Sequence, residues 1–496
     1  MLKRMFVAPD PGRARLRFAA RAVLGTGLAV AVCLLAGHSV VGAVTGGLAA
    51  LLTLFTVADP TVRGQAVTTA LLPAVGVPVL AAAAELHAVP VARDLAFLAV
   101  VGAGVYARRW GPRGHSLGVF AFMTFFVAQF LHATPAQLPQ LYAAVLLSVL
   151  SAAVVRFGVW CYERRLPPAP VPAPPAGRGL ARVTTRQAVQ ATAGAGFALV
   201  VGQLVSGQRW YWAVGATWWI FVNTASRGET LVRGFRRVLG TVIGICLGFL
   251  VAVPVGGAPV PTAVLVAVAV FGIFYTAAVS YTWMMLCVTL LAELLYGLLG
   301  VLSPGLLALR VAETGVGALG AALAVLFVLP VTTHAITDAW IQRALRCVHA
   351  CTAEAAARLG GSATADPAPR VAELEQLLGR VRLAVAPLVH PLNPMPARKA
   401  RARRVLALLD DCAREVRGLV AVAADPEASH DARLTAACRR VEAAVEALTT
   451  SRPEPVHHPA EPPAEPALAH LYGLERALAD LAEPLRAPSG SRLVGV

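Results

Sequence analysis

The sequence predicts an all-α integral membrane protein: two parallel repeats of about six transmembrane helices, followed by a C-terminal cytoplasmic helical domain. Three observations carry this. Apolar segments of spanning length recur in two sets of six. The basic residues of the connections fall almost wholly on one side. From about residue 334 the all-round apolar pattern gives way to amphipathic helices. The composition agrees, with 57% hydrophobic and 14% charged residues and a mean hydropathy of +0.66, where soluble domains carry about a quarter charged residues.

The stretch MLKRMFVAPDPGRARLRF opens the chain and leads into a first membrane helix rather than a signal peptide, since further long spans follow and no small-residue cleavage site stands out. Spans are expected near 18–36, 39–57, 66–84, 91–107, 116–132 and 140–160, the third divisible at Pro73 and Pro78. A proline-rich extended linker follows within ERRLPPAPVPAPPAGRGLARVTTRQ. Spans resume near 187–206, 210–224, 234–254, 259–277, 281–300 and 304–330. The expected domains are therefore a first repeat over 1–165, a linker over 166–183, a second repeat over 184–333 and a cytoplasmic helical domain over 334–496.

Charge sets the orientation. With a cytoplasmic N-terminus, one side carries Lys3, Arg4 and the arginines near 13–21, Arg63, Arg108, Arg109 and Arg113, the linker arginines, and Arg227, Arg233, Arg236 and Arg237. The other side carries only Arg93 and Arg209, a ratio of nineteen to two. Both termini are then cytoplasmic, and the net charge of +16 is explained without nucleic acid. DPTVRGQ and TASRGET each follow the second span of their half, and aligning Arg63-Gly64 on Arg227-Gly228 roughly superimposes the flanking spans. That echo points to a parallel repeat.

Several chemistries find no support. The eight cysteines form no disulfide-type framework. Cys347 and Cys351 lie one helical turn apart without a second ligand pair, and His457-His458 sits in a proline-rich loop, so no metal is expected. There is no P-loop and no nucleophile–base arrangement, so neither ATP-driven transport nor catalysis is expected, and no cofactor.

The residues that demand a role are charged and sit inside the last hairpin. Arg310 and Glu313 lie about 10–15 Å past the LSPG turn, counting about 1.5 Å per residue, and Glu293 sits at a matching depth on the preceding helix. Intramembrane charges tend to mark ion or substrate paths. The plain alternative is a buried ion pair that locks the hairpin. One cation cannot neutralise two carboxylates, so one glutamate is free to carry a proton while Arg310 attracts an anion. Half one holds no matching cluster. Trp210, Tyr211 and Trp212 fit an interfacial belt, and Trp218 and Trp219, deeper, fit the lining of a path for a ring-bearing solute. Gly240 and Gly244 have the spacing for close helix packing. The arginines at 227, 233, 236 and 237 either anchor the cytoplasmic face or form a basic vestibule for anions.

Tyr211-Trp212-Ala213, Ser226 to Thr230 (SRGET), Arg237 to Gly244 (RVLGTVIG, with Thr241 at its centre) and Arg310 to Gly317 (RVAETGVG) together resemble the fusaric acid resistance (FUSC-like) family, which includes aromatic acid exporters and is related to plant aluminium-activated malate transporters. The resemblance covers roughly 185–330, with Arg227-Gly228 inside it, and half one lacks the arginine–glycine–threonine pattern. It implies a multi-pass bacterial inner-membrane protein that exports aromatic or other organic anions. The intramembrane acids add proton coupling to that expectation. The competing readings are a passive organic-anion channel and a non-transporting membrane scaffold. The expected partners are the lipid bilayer, a small organic acid, and a second copy or a periplasmic protein.

Overall fold

Hydroxyl residues placed just ahead of apolar runs start four of the membrane helices. In the computed structural model Ser39, Thr61, Ser226 and Ser303 each accept a hydrogen bond from the backbone N–H three residues on, at 3.3, 3.1, 3.4 and 3.3 Å. Each thereby satisfies one of the donors that a helix start leaves open. The structure describes residues 13–163, 179–222, 224, 226–330, 333–362, 364–389, 396–423, 432–450 and 465–486. Lys3, Arg4, the middle of the proline-rich linker and His457-His458 lie outside them.

The described residues are helical with no strand, and they fall into two compact units that divide at residues 331–332. The first unit holds α1 (Ala14–Leu35), α2 (Val40–Thr56), α3 (Val62–Glu85), α4 (Pro90–Tyr106), α5 (Gly111–Phe130) and α6 (Leu138–Glu163). It continues with α7 (Val183–Val205), α8 (Tyr211–Phe221), α9 (Arg227–Val255), α10 (Pro259–Thr276), α11 (Tyr281–Leu298) and α12 (Pro304–Phe327). Among the described residues nine helical stretches are long and apolar enough to cross a membrane. Large apolar side chains such as Leu239, Leu247, Phe249 and Leu250 on α9, and Val260, Val264 and Val268 on α10, point outward. Such an exposed apolar stripe suits lipid, not water.

Two expectations about these helices are corrected. Pro73 and Pro78 do not divide the third span, because both lie inside the continuous α3; a membrane helix tolerates proline where neighbours take over the freed backbone groups. The span expected at 210–224 is helical only over its eleven residues Tyr211–Phe221, and extended backbone at Val222 ends it. α2, at 17 residues, is also short. Both truncated ends are held by arginines from elsewhere. Arg156 of α6 donates to the carbonyls of Thr53, Leu54 and Val57 at 3.0, 3.2 and 3.0 Å. Arg108, between α4 and α5, donates to those of Phe221 and Thr224 at 3.2 and 3.3 Å. A guanidinium there satisfies open carbonyls and meets the negative end of the helix dipole.

Neighbour relations recur along the chain. α1 packs on α2 and α6, and α3 packs on α5 and α6; likewise α7 packs on α8 and α12, and α9 packs on α11 and α12. The halves meet where α4 lies on α7, α10 on α1, and α5 on α8. Aligned on their capping hydroxyls, the halves take a register one residue away from that of the arginine–glycine pairs. Thr61 and Ser226 start α3 and α9 by the same bond, so Arg63 falls opposite Gly228 rather than Arg227.

The second unit packs α13 (Thr333–Leu359), α14 (Ala368–Val389), α15 (Pro396–Ala423), α16 (Ala432–Thr450) and α17 (Pro466–Arg486) around its own apolar core, which includes Leu345, Leu377, Leu409, Val441 and Leu474. Cys347 and Cys351 are both buried in that core. Arg440 pairs with the buried Glu475 at 3.0 Å, and His470 Nδ1 lies 2.9 Å from Glu415 Oε2.

Candidate functional site

The glycines that bring the helices of the second half together also decide which side chains face inward. A Cβ on Gly240 would stand 2.6 Å from the Thr282 carbonyl, and one on Gly244 would stand 2.7 Å from Thr289 Cβ. Only glycine lets α9 lie this close to α11. One turn further, Gly248 leaves the notch that receives the Glu293 carboxylate, and any Cβ there would overlap it. On α12, Gly317 does the same against α8, where Thr217 Oγ1 donates to the Gly317 carbonyl at 2.9 Å. The RVAETGVG segment thus seats α12 by its glycine end and leaves Arg310 to project away from that contact.

Arg310 projects into a cavity of about 180 Å³ between the two halves. Its walls come from α2 and α5 of the first half and from α8 to α12 of the second, including Leu48, Phe55, Phe126, Trp212, Trp219 and Tyr296. The lining is almost wholly apolar. Its charged members are Arg310 and Arg237, and no acid lines it. Arg310 is 6% exposed and Arg237 8%, so both guanidinium groups are all but withdrawn from the surroundings.

The partners of the two arginines are neutral. The Arg310 guanidinium carbon sits 4.1 Å from the centroid of the Trp212 ring, and Nη1 donates to Tyr296 Oη at 3.2 Å. Arg237 Nη1 donates to Tyr281 Oη at 3.2 Å and lies 3.4 Å from Met285 Sδ. The Nε donor of each arginine is buried without an acceptor. Among the described residues no carboxylate lies within 4.0 Å of either guanidinium. Beside Arg237, Arg233 covers the Tyr281 ring at 3.9 Å and donates to the Trp219 carbonyl at 3.3 Å.

Glu293 and Glu313 are fully buried, and all four carboxylate oxygens lack a hydrogen-bond partner. The expected charged cluster therefore takes another form. The arginine faces the cavity and an aromatic ring, while Glu293 turns to Gly248, so the salt bridge of the plain structural alternative does not form. The charge of Arg310 still acts on both acids.

The remaining residues singled out in the sequence separate into wall, packing and surface. Trp219 lines the cavity, whereas Trp218 is stacked on Phe122 at 4.0 Å inside the core and faces no path. Trp212, read as part of an interfacial belt, is instead the ring over Arg310. Arg237 is a cavity residue and not an anchor on the membrane surface; Arg227, in the first turn of α9 beside Gly228, is half-buried. Thr241 is buried on the α9 face between Gly240 and Gly244. Sequence reasoning missed Tyr296, Tyr281 and the whole first-half wall. Tyr296 and Tyr281 were legible only as aromatics in an apolar run; α2 carries no charged residue, and Arg113 of α5 is not part of the cavity wall.

The segment that builds this charged side is also the segment with known relatives. Residues 197–325 match a family model described as fusaric acid resistance protein-like. Over this segment the chain is similar to the fusaric acid resistance-like family. Both cavity arginines, both buried acids and the glycines of α9 lie inside the fusaric acid resistance-like match, and the α2 and α5 walls lie outside it. No curated protein and no solved structure matches the chain. A fusaric acid resistance-like segment in a chain of long apolar helices points to a membrane protein related to transport.

Proposed function

We propose that the chain carries organic anions with an apolar body outward across the bacterial inner membrane, through the cavity between its two halves and coupled to protons. The observation that carries this reading is the pair of buried guanidinium groups, Arg310 and Arg237, on an otherwise apolar wall without a carboxylate. An unpaired buried cation is costly. An anion that enters with its apolar part against Phe126, Trp219 and Tyr296 relieves that cost and gains from burial. The recurring neighbour relations support two parallel repeats around the cavity, with the first half supplying apolar surface and the second the charge.

Proton coupling rests on Glu293 and Glu313. A carboxyl group with no donor partner in an apolar surround is cheaper to hold neutral than charged, so movement that brings it to water would exchange a proton. A passive channel needs no such acids. The test is efflux of benzoate and related acids from liposomes that contain the full chain, with and without a pH gradient. Transport accelerated by the gradient is expected, with Glu293→Gln removing that acceleration but leaving benzoate binding. Equal rates with and without the gradient would favour the channel, and no flux of any acid would leave the scaffold reading.

A further inference from the structure

The cavity presents two separate cations, and their spacing says what shape of charge would satisfy both. Arg237 touches α11 at Met285, and Arg310 touches it at Tyr296. Eleven residues separate these contacts. At about 1.5 Å per residue, with both side chains leaning toward the helix start so that the lean largely cancels, the two guanidinium groups stand roughly 16 Å apart along α11. The wall between them carries Val288, Leu291, Ala292 and Leu295.

From this we infer that the preferred ligand of the cavity is a bipolar dianion: two carboxylates separated by an apolar spacer, one held by Arg237 and the other by Arg310. The inference rests on the anion-transport reading of the same cavity and adds its substrate shape. A monoanion neutralises one guanidinium and leaves the other buried and unpaired, together with its orphaned Nε donor. A dianion meets both. A bidentate carboxylate sits about 4 Å from the guanidinium carbon, so the carboxylates should lie about 8 Å apart. A chain of about five methylenes fills that gap, and it fits a volume of about 180 Å³. Trp212 over Arg310 and Tyr281 beside Arg237 keep each cation in place at its own end.

The experiment compares binding of heptanedioate, butanedioate, decanedioate and heptanoate to the full-length protein in detergent at neutral pH, read by ligand-induced thermal shift. Heptanedioate should bind at least about tenfold more tightly than heptanoate, because its second charge-assisted pair is worth more than about 1.4 kcal/mol. It should also beat the shorter and longer dicarboxylates. Arg237→Gln and Arg310→Gln should each bring heptanedioate down to the heptanoate level. Because the length and charge preference is read on the unaltered chain, a variant that fails to fold cannot hide the answer. Equal binding of heptanoate and heptanedioate, with heptanoate still dependent on Arg310, overturns the bipolar ligand and leaves anion transport standing. Absence of binding by every carboxylate overturns both.

Discussion

Arg310 owes its place to neighbours that are neutral, and this determines how its substitutions should behave. Were it the counter-ion of Glu293 and Glu313, removing all three charges together would restore what Arg310→Gln loses. With Trp212 at 4.1 Å and Tyr296 Oη at 3.2 Å as its partners, the expected outcome is different. Anion transport lost in Arg310→Gln should stay lost when Glu293→Gln and Glu313→Gln are added. Arg310→Lys should keep the charge yet lose much of the transport, because the planar fork that both stacks and grips a carboxylate is gone. Initial efflux rates of the purified variants decide this, and recovery in the triple variant would return Arg310 to a structural role. A second residue-scale expectation concerns Cys412 in the other unit. Burial, with Asp411 adjacent, pushes its thiol up to about 12, against about 9 for an ordinary thiol. The folded state thus favours the neutral thiol. That contribution to stability is whole below pH 9 and is lost as pH rises towards 12. Peptide-resolved alkylation at pH 8.5 should leave Cys412 unmodified in the native protein and modify it in urea, whereas equal labelling in both would show an open site.

At the scale of elements, the α9–α11 contact is the one most exposed to a single change. Gly240, Gly244 and Gly248 fall on one face of α9, and Thr282, Met285, Thr289 and Glu293 of α11 fill the space above them. Gly244→Leu should therefore destabilise the membrane unit by about 1–3 kcal/mol or more through overpacking, whereas Gly315→Leu, where an added Cβ meets nothing within 4 Å, should cost little. Thermal unfolding of the two variants in the same detergent gives the comparison, and equal stability would contradict the packing described. The spacing of Gly240 and Gly244 was plain in the sequence because period and residue type together imply close approach, and Gly248 emerges only from the structure. The identity of the cavity wall was not. α8 is apolar on every face, so nothing in YWAVGATWWIF tells which tryptophan faces the cavity and which the core: Trp212 lines the cavity and Trp218 is buried in the core, against what depth alone suggests. The short ends of α2 and α8 were hidden for a related reason. Their termination depends on Arg156 and Arg108, which reach them from about a hundred residues away in sequence, and no local pattern records such a contact.

For the whole molecule, we propose from the neighbour relations and the charge distribution that the halves are parallel. α1 lies on α2 and α6 as α7 lies on α8 and α12, and α10 meets α1 as α4 meets α7. An exchange of this kind is what a two-fold axis along the membrane normal produces, and it places corresponding loops of both halves on the same face. An inverted repeat would instead put the turn after α1 and the turn after α7 on opposite faces. It would also put Arg63 on the opposite face from Arg233 and Arg236, against the nineteen-to-two bias. The test uses single cysteines in a cysteine-depleted chain at Ala36 and Gly207, in those two turns, and at Arg63, in the first turn of α3; Ala36, Gly207 and Arg63 are all exposed. In intact cells Ala36→Cys and Gly207→Cys should both react with a membrane-impermeant maleimide, and Arg63→Cys should react only after permeabilisation. Labelling of Ala36→Cys without Gly207→Cys would make the halves antiparallel. It would also remove the axis on which the cavity sits, since α2 and α8 would no longer approach it from the same side.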